Sequence, residues 1–188
     1  MHKAPHHALI AAGFFGLVAL IAGCSGSKAA LERNPAPCPN VLVLSEAARL
    51  IDFDGEQTLD DIAWTGEIED VVLSCRYFDD KPIKAELEIA FSLGKGPRGD
   101  SNSHDFIYFV AVTRRDQEVI AKRDLAVRGK FSRSSNTYTT KVKLDDIVIP
   151  RANEKTSGTN FEIIVGFALD REQALYNRSG KSLKFPHL

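Results

Sequence analysis

Along residues 83–93 apolar and polar side chains change places at almost every step. Ile83, Ala85, Leu87, Ile89, Phe91 and Leu93 hold one parity, and Lys84, Glu86, Glu88 and Ser92 the other. A period of two sends successive side chains to opposite faces, so this segment is predicted to be a half-buried β-strand. Phe106, Tyr108, Val110 and Val112 interleave with Ile107, Phe109 and Ala111. That strand is apolar on both faces and belongs at the centre of a sheet. Arg114-Arg115-Asp116-Gln117 is a polar turn into 118–127, its expected hairpin partner. Tyr138-Thr140-Val142-Leu144 and Phe161-Ile163-Val165-Phe167-Leu169 repeat the alternation. Ile62-Trp64-Gly66-Ile68 and Val71-Leu73-Cys75-Tyr77 read as two strands or one long bent one, and Val41-Leu42-Val43-Leu44 opens the folded region.

Seven or eight short strands separated by turn clusters predict an all-β fold, an antiparallel immunoglobulin- or fibronectin-like β-sandwich. Helix signals are weak: Ser45-Glu46-Ala47-Ala48-Arg49-Leu50 gives two turns at most, and 170–176 a last turn after the final strand. One domain over 38–178 is expected, with 179–188 as a C-terminal tail and Trp64 in the core. No internal repeat is visible.

Ahead of that domain stand Lys3, three histidines and an apolar stretch from Ala8 to Ala22. The stretch is about fifteen residues, short of the roughly twenty that span a bilayer, and fits a signal peptide. It closes on Ile21-Ala22-Gly23-Cys24, which resembles the lipobox of bacterial lipoproteins. The resemblance implies alkylation of the Cys24 thiol by a diacylglycerol, removal of residues 1–23, and acylation of the new amino terminus. The residue types suit those steps. Ala22 and Gly23 let the backbone enter a narrow protease cleft, and only cysteine offers a soft nucleophilic sulfur. Ser25 rather than aspartate follows the cysteine. By analogy with sorting in many Gram-negative bacteria, that favours the periplasmic face of the outer membrane over the inner membrane. Residues 24–37 read as a flexible tether. Pro35, Pro37 and Pro39 favour extended backbone, and the thirteen residues from Ser25 to Pro37 stretch to about 40 Å.

Two cysteines remain, Cys38 and Cys75. In an oxidising compartment an even pair is most simply a disulfide. Closing that loop stabilises by roughly 3–4 kcal/mol in the chain-entropy model. The bridge is expected to staple the start of the domain to an interior strand, unlike the central bridge of an antibody domain.

The 188 residues carry a formal net charge of −1, and losing Lys3 with the leader makes the chain more negative by one unit. Such a balance gives no long-range attraction for nucleic acid or anionic lipid, so the membrane partner is reached through acyl chains. Two or more chains anchor stably where one holds marginally. Chemistry-bearing residues are sparse. His104 and His187 are the histidines beyond the leader, and His104 is expected in a solvated loop. HExxH and GxSxG are both missing from the sequence. No catalytic residue, metal or cofactor is therefore expected. Gly94-Lys95-Gly96-Pro97-Arg98-Gly99 matches GxGxxG, but Pro97 and the following Asp-Ser-Asn-Ser run forbid the helix that a dinucleotide site requires. Arg98-Gly99-Asp100-Ser101 contains an integrin-type tripeptide of common turn residues. The acidic groups Asp52 with Asp54, Asp79-Asp80 and Asp145-Asp146 are expected in solvated turns, and Arg114-Arg115 at a hairpin tip.

The chain also resembles a family of small uncharacterised alphaproteobacterial lipoproteins. The carrying residues are Cys38-Pro39-Asn40-Val41, Ala47-Ala48-Arg49-Leu50, Ser74-Cys75-Arg76-Tyr77 and Tyr108-Phe109-Val110-Ala111-Val112-Thr113, followed by Gly166-Phe167, Asp170 and Tyr176-Asn177-Arg178. The resemblance implies export and an envelope location, and it adds no chemistry. The expected role is that of a non-enzymatic envelope lipoprotein that binds another envelope protein or supports an assembly. The alternative is a small-ligand or peptidoglycan-fragment binder. Binding is expected at strand edges and hairpin tips, foremost in the loop 94–104 with Lys95, Arg98, Asp100 and His104.

Overall fold

The computed structural model describes residues 37–115 and 118–183. The eight strands are β1 (Asn40–Val43), β2 (Arg49–Phe53), β3 (Ile62–Arg76), β4 (Ile83–Lys95), β5 (Ser103–Arg114), β6 (Val119–Lys130), β7 (Thr137–Ile149) and β8 (Phe161–Phe167). They form two four-stranded sheets, β1-β8-β5-β6 and β2-β3-β4-β7. The all-β sandwich read from the alternation is thus what forms. Every pairing is antiparallel but one: β1 runs parallel to β8, with Val41 opposite Ile163. Three consecutive strands, β2 to β4, lie side by side in one sheet. The likeness to immunoglobulin domains is therefore one of layers rather than strand order.

Local chemistry explains the elements. Residues 62–76 are one long strand, bent by a bulge between Ile68 and Asp70. β5 sits between β8 and β6, the central place its two apolar faces called for. The helix formers at 45–50 yield a single 3₁₀ turn over Ser45–Ala47, and Arg49 already belongs to β2. Tertiary packing overrides propensity there, because Ala47 and Leu50 are drawn into buried positions. After β8, helix α1 (Arg171–Arg178) starts at a capping box. The Asp170 carboxylate accepts from the Gln173 backbone, and the Gln173 side chain accepts from the Asp170 backbone. No helix among the described residues is long and apolar enough to cross a membrane.

The core lies between the sheets. Ile83, Ala85, Leu87, Ile89, Phe91 and Leu93 of β4 face Phe106, Tyr108, Val110 and Val112 of β5 and Phe161, Ile163, Val165 and Phe167 of β8. Phe91 meets Tyr108 at 5.0 Å and Phe167 at 5.9 Å between ring centroids. Burying each large side chain contributes about 1.5–3 kcal/mol. Trp64 is buried, as expected.

A staple closes one end. Cys38 and Cys75 form the expected disulfide, with 5.8 Å between their Cα atoms. Next to it the Tyr77 hydroxyl donates to the Pro37 carbonyl at 2.7 Å and accepts from the Gly158 amide at 3.0 Å. A side chain at Gly158 has no room, since its Cβ would stand 2.6 Å from both the Pro37 carbonyl oxygen and the Tyr77 hydroxyl. The chain therefore enters the sandwich at the end that holds the β3–β4 and β7–β8 connections. Cys24, the leader and the tether up to residue 36 lie outside the described residues, as do 184–188 of the tail with His187.

Candidate functional site

The loop proposed from sequence proves shorter and more firmly held than its composition suggests. Gly94 and Lys95 still pair in the ladder opposite Thr65 and Trp64, and β5 begins at Ser103. Only 96–102 is left between the strands. Its backbone is pinned to β3: the Gly96 amide donates to the Ala63 carbonyl at 2.8 Å, and the Arg98 amide to Ile62 at 2.9 Å. A Cβ on Gly96 would collide with the Ile62 carbonyl. Gly96 and Gly99 of the GxGxxG match thus serve close approach to the β3 backbone, Gly94 faces the Thr65 side chain, and a strand follows where a nucleotide site needs a helix.

The four residues singled out there do different things. Arg98 grips Asp61, with Nε at 3.2 Å and Nη2 at 3.0 Å from Oδ1. Hydrogen bonding from Thr58, joined by Arg98, holds the Asp61 carboxyl below its usual range. Lys95 ends β4, and Asp100 is exposed. His104 corrects an expectation: it lies within β5 rather than in a solvated loop. Its ring stacks on Trp64 at 4.4 Å and 9°. Phe106 and Phe131 complete the cluster, with Phe131 at 5.5 Å from Trp64. This aromatic group plugs the end opposite the disulfide. Asp145 and Asp146 also correct the reading, since both lie in β7 rather than a turn. A register shift between Ala85 and Leu87 leaves the acidic pair at a bulge. There Asp146 meets Arg123 of β6 at 2.8 Å. Among the described residues no group of three His, Cys, Asp or Glu side chains is placed to hold a metal ion.

The two outer faces of the sandwich differ in kind. On the β2-β3-β4-β7 sheet the solvent side is a lattice of ion pairs. Lys141 bonds Glu88 at 2.7 Å, Lys143 meets Glu86 at 3.3 Å, Arg76 also pairs with Glu86, and Arg49 meets Glu67 at 3.1 Å. Val72 and Val148 are apolar exceptions there, both more than half exposed. The β1-β8-β5-β6 sheet carries the opposite pattern. Its core side takes Val41, Ile163 and Val110, so the alternate positions Leu42, Ile164 and Ala111 face outward in one row, ending at Lys122. The next row holds Gly166 and Phe109 opposite Asp124. Beyond it Ile107 pairs with Ala126. Ile107 is 42% exposed and Leu44, following β1, 37%.

Phe109 lies close over Gly166, where a Cβ would come within 2.9 Å of its ring and 2.7 Å of the Ala47 methyl. Lys122 reaches over the same ring, 4.9 Å from its centroid. Ala111 and Gly166 are buried in these rows, while Leu42, Ile164 and Phe109 are half-buried beside exposed Ile107, and a contiguous apolar strip rimmed by charge is a candidate interaction site. Its sequence signal was legible in a form read only halfway: a strand apolar on both faces is central, and in a two-layer sandwich one of those faces looks outward.

The lateral edges differ too. On one side β1 and β2 are short, and α1 covers β2. Asn177 donates to the carbonyls of Glu46 and Arg49, both at 2.8 Å, and Tyr176 packs on Phe53 at 5.2 Å. On the other side β6 and β7, of 12 and 13 residues, are both terminal strands of their sheets. Between them opens a cleft of about 190 Å³, lined by Val110, Val112, Leu125, Leu144 and Ile147 with Arg123 and Asp146 at its mouth. Long free edges are templates for strand pairing, and charge and bulges are the customary guards. The sequence matches no family model, no curated protein and no solved structure.

Proposed function

We propose that this chain is a lipid-anchored, non-enzymatic envelope protein that binds another protein through the outer face of its β1-β8-β5-β6 sheet. The observation that carries the reading is the contrast between the two faces of one sandwich. Where one face is laced by ion pairs, the other carries exposed Ile107 with half-buried Leu42, Ile164 and Phe109 across the sheet, around a buried Ala111. Leaving such surface in water costs about 25 cal/mol per Å² relative to covering it. The adjoining edge of β6, unpaired among the described residues, adds backbone donors and acceptors that an extended partner segment can use. The lipobox-like Ile21-Ala22-Gly23-Cys24 supplies the anchor, and its serine neighbour favours the outer membrane.

A small-ligand role has less to stand on. The cleft between β6 and β7, at about 190 Å³, falls below the roughly 300–1,000 Å³ of ordinary ligand pockets. Its aliphatic lining also suits a polar peptidoglycan fragment poorly. The test is chemical crosslinking in native envelopes followed by purification of the tethered protein, with wild type beside Ile107→Glu. The reading expects a partner captured by wild type and lost in the variant, with unchanged thermal unfolding. Equal capture by both chains would remove the face from consideration.

A further inference from the structure

We infer that the outer face of the β1-β8-β5-β6 sheet pairs with the same face of a second copy of this chain, about a two-fold axis running along the strands. The inference rests on the interaction reading above and names the partner at that face. A two-fold interface must be complementary to itself, and this face is. Its centre is apolar, from Leu42 and Ile164 to Phe109 and Ile107. Its β6 margin carries Lys122 and Lys130 with Asp124, while the β8 and β1 side carries Glu162 and, beyond Leu44, Glu46. Turning one copy by 180° about an axis along the strands lays its β6 over the other copy's β1. The basic margin then meets the acidic side twice, an arrangement that fixes register. Existing partners do not block this. Arg128 is held by both Asp105 oxygens, at 2.7 and 2.6 Å, and stays with its own chain, whereas Lys122 meets Asp124 at 3.3 Å and Glu46 meets Arg178 at 3.7 Å through single contacts on exposed side chains. Such surface pairs are weak and exchangeable.

Size and direction agree. Four strands at about 4.8 Å spacing make a face roughly 19 Å wide, and the outward run from Asp105 to Thr113 is about 27 Å long. With β1 and β8 only four and seven residues long, two such faces bury about 900 Å², the size of a weak, reversible pairing. An axis along the strands also puts the Cys38 entry points of both copies at the same end, since each chain enters at its disulfide. Two tethers rising from one membrane reach that arrangement most directly, whereas an axis across the strands would set them at opposite ends.

The experiment is the protein mass of the mature full chain in detergent at micromolar concentration, by light scattering on a sizing column. Twice the protomer mass is expected. Ile164→Lys at the centre of the face should give the single mass. Val148→Lys, on the β7 edge, should leave the dimer intact, and unfolding midpoints confirm that both variants fold. Glu162→Lys should weaken the dimer, and adding Lys122→Glu in the same chain should restore it. A wild-type monomer overturns the inference, and so does a dimer indifferent to Ile164→Lys. If wild type is a monomer yet Ile107→Glu still abolishes capture of another envelope protein, the interaction reading stands and only the self-pairing falls.

Discussion

Tyr77 shows how much a single side chain can fix at a chain entry point. Its hydroxyl bridges Pro37 and Gly158, and the Arg151 guanidinium lies 5.3 Å over its ring. Tyr77→Phe removes one donor and one acceptor and leaves the Gly158 amide without its partner. Unfolding in urea should show a loss of about 1–3 kcal/mol, and a change within error would mean that water replaces the hydroxyl. Gly166 is a second such residue. Any Cβ there presses on Ala47 and the Phe109 ring, so Gly166→Val should cost about 1–3 kcal/mol through overpacking, read as a lower unfolding midpoint. At this scale the sequence was least legible. His104 looked like a loop residue because glycines and polar residues crowd 94–103, whereas the ladder between β5 and β6 reaches Ser103 opposite Lys130. What the pattern could not convey was that Trp64 offers an aromatic face at that point. The expectation of lipidation at Cys24 rests on local sequence and lies outside the described residues.

Whole elements were more legible than single contacts, because strand alternation is a repeated signal. The run 83–93 reads as a strand with one buried face, and all six of its apolar positions are buried in β4. β2 went unseen because Glu46, Ala47 and Ala48 imitate a helix start, and five residues are too few to display a period. The ion-pair lattice on the other sheet gives a pH prediction. Hydrogen bonding and charge from Lys143, joined by Arg76, hold the Glu86 carboxyl below its usual range, and Arg128 does the same for Asp105. A carboxyl whose pKa falls on folding adds stability that is complete above its unfolded value, about 4.3 for glutamate. That stability drains away as pH falls through the folded value. Stability should therefore be flat near neutrality and decline below about pH 4. Glu86→Gln should flatten part of that decline in midpoints measured across pH. A variant with the wild-type profile would show that the lattice is only solvated charge. The disulfide acts at the same scale, and Cys75→Ser should cost roughly 3–4 kcal/mol, measured by urea unfolding under oxidising conditions. A much smaller loss would show that the Tyr77 bridge and the packing of β1 hold the entry point unaided.

For the whole molecule, the proposed function joins a lipid anchor at Cys24 to a binding face on the β1-β8-β5-β6 sheet. The layer count, the strand number and the staple all follow from patterns in the chain. Which sheet would turn an apolar side outward does not, because that depends on how β1, β8, β5 and β6 are ordered, and order is set by long-range pairing. Lipidation is checked by mass spectrometry: the mature chain should begin at Cys24 carrying diacylglycerol, and Cys24→Ser should leave the precursor uncut. A mature form without acyl mass at Cys24 would leave the sandwich without its membrane. The central claim, that the β1-β8-β5-β6 face is covered by protein in the cell, is tested most directly by paired photocrosslinking in intact envelopes. A photoreactive side chain is placed at Ile107 in one strain and at Ser92, on the other sheet, in a second. The account predicts discrete protein adducts, whether to the same chain or to another, from Ile107 and none from Ser92. Adducts from Ser92 alone, or from neither position, would contradict it.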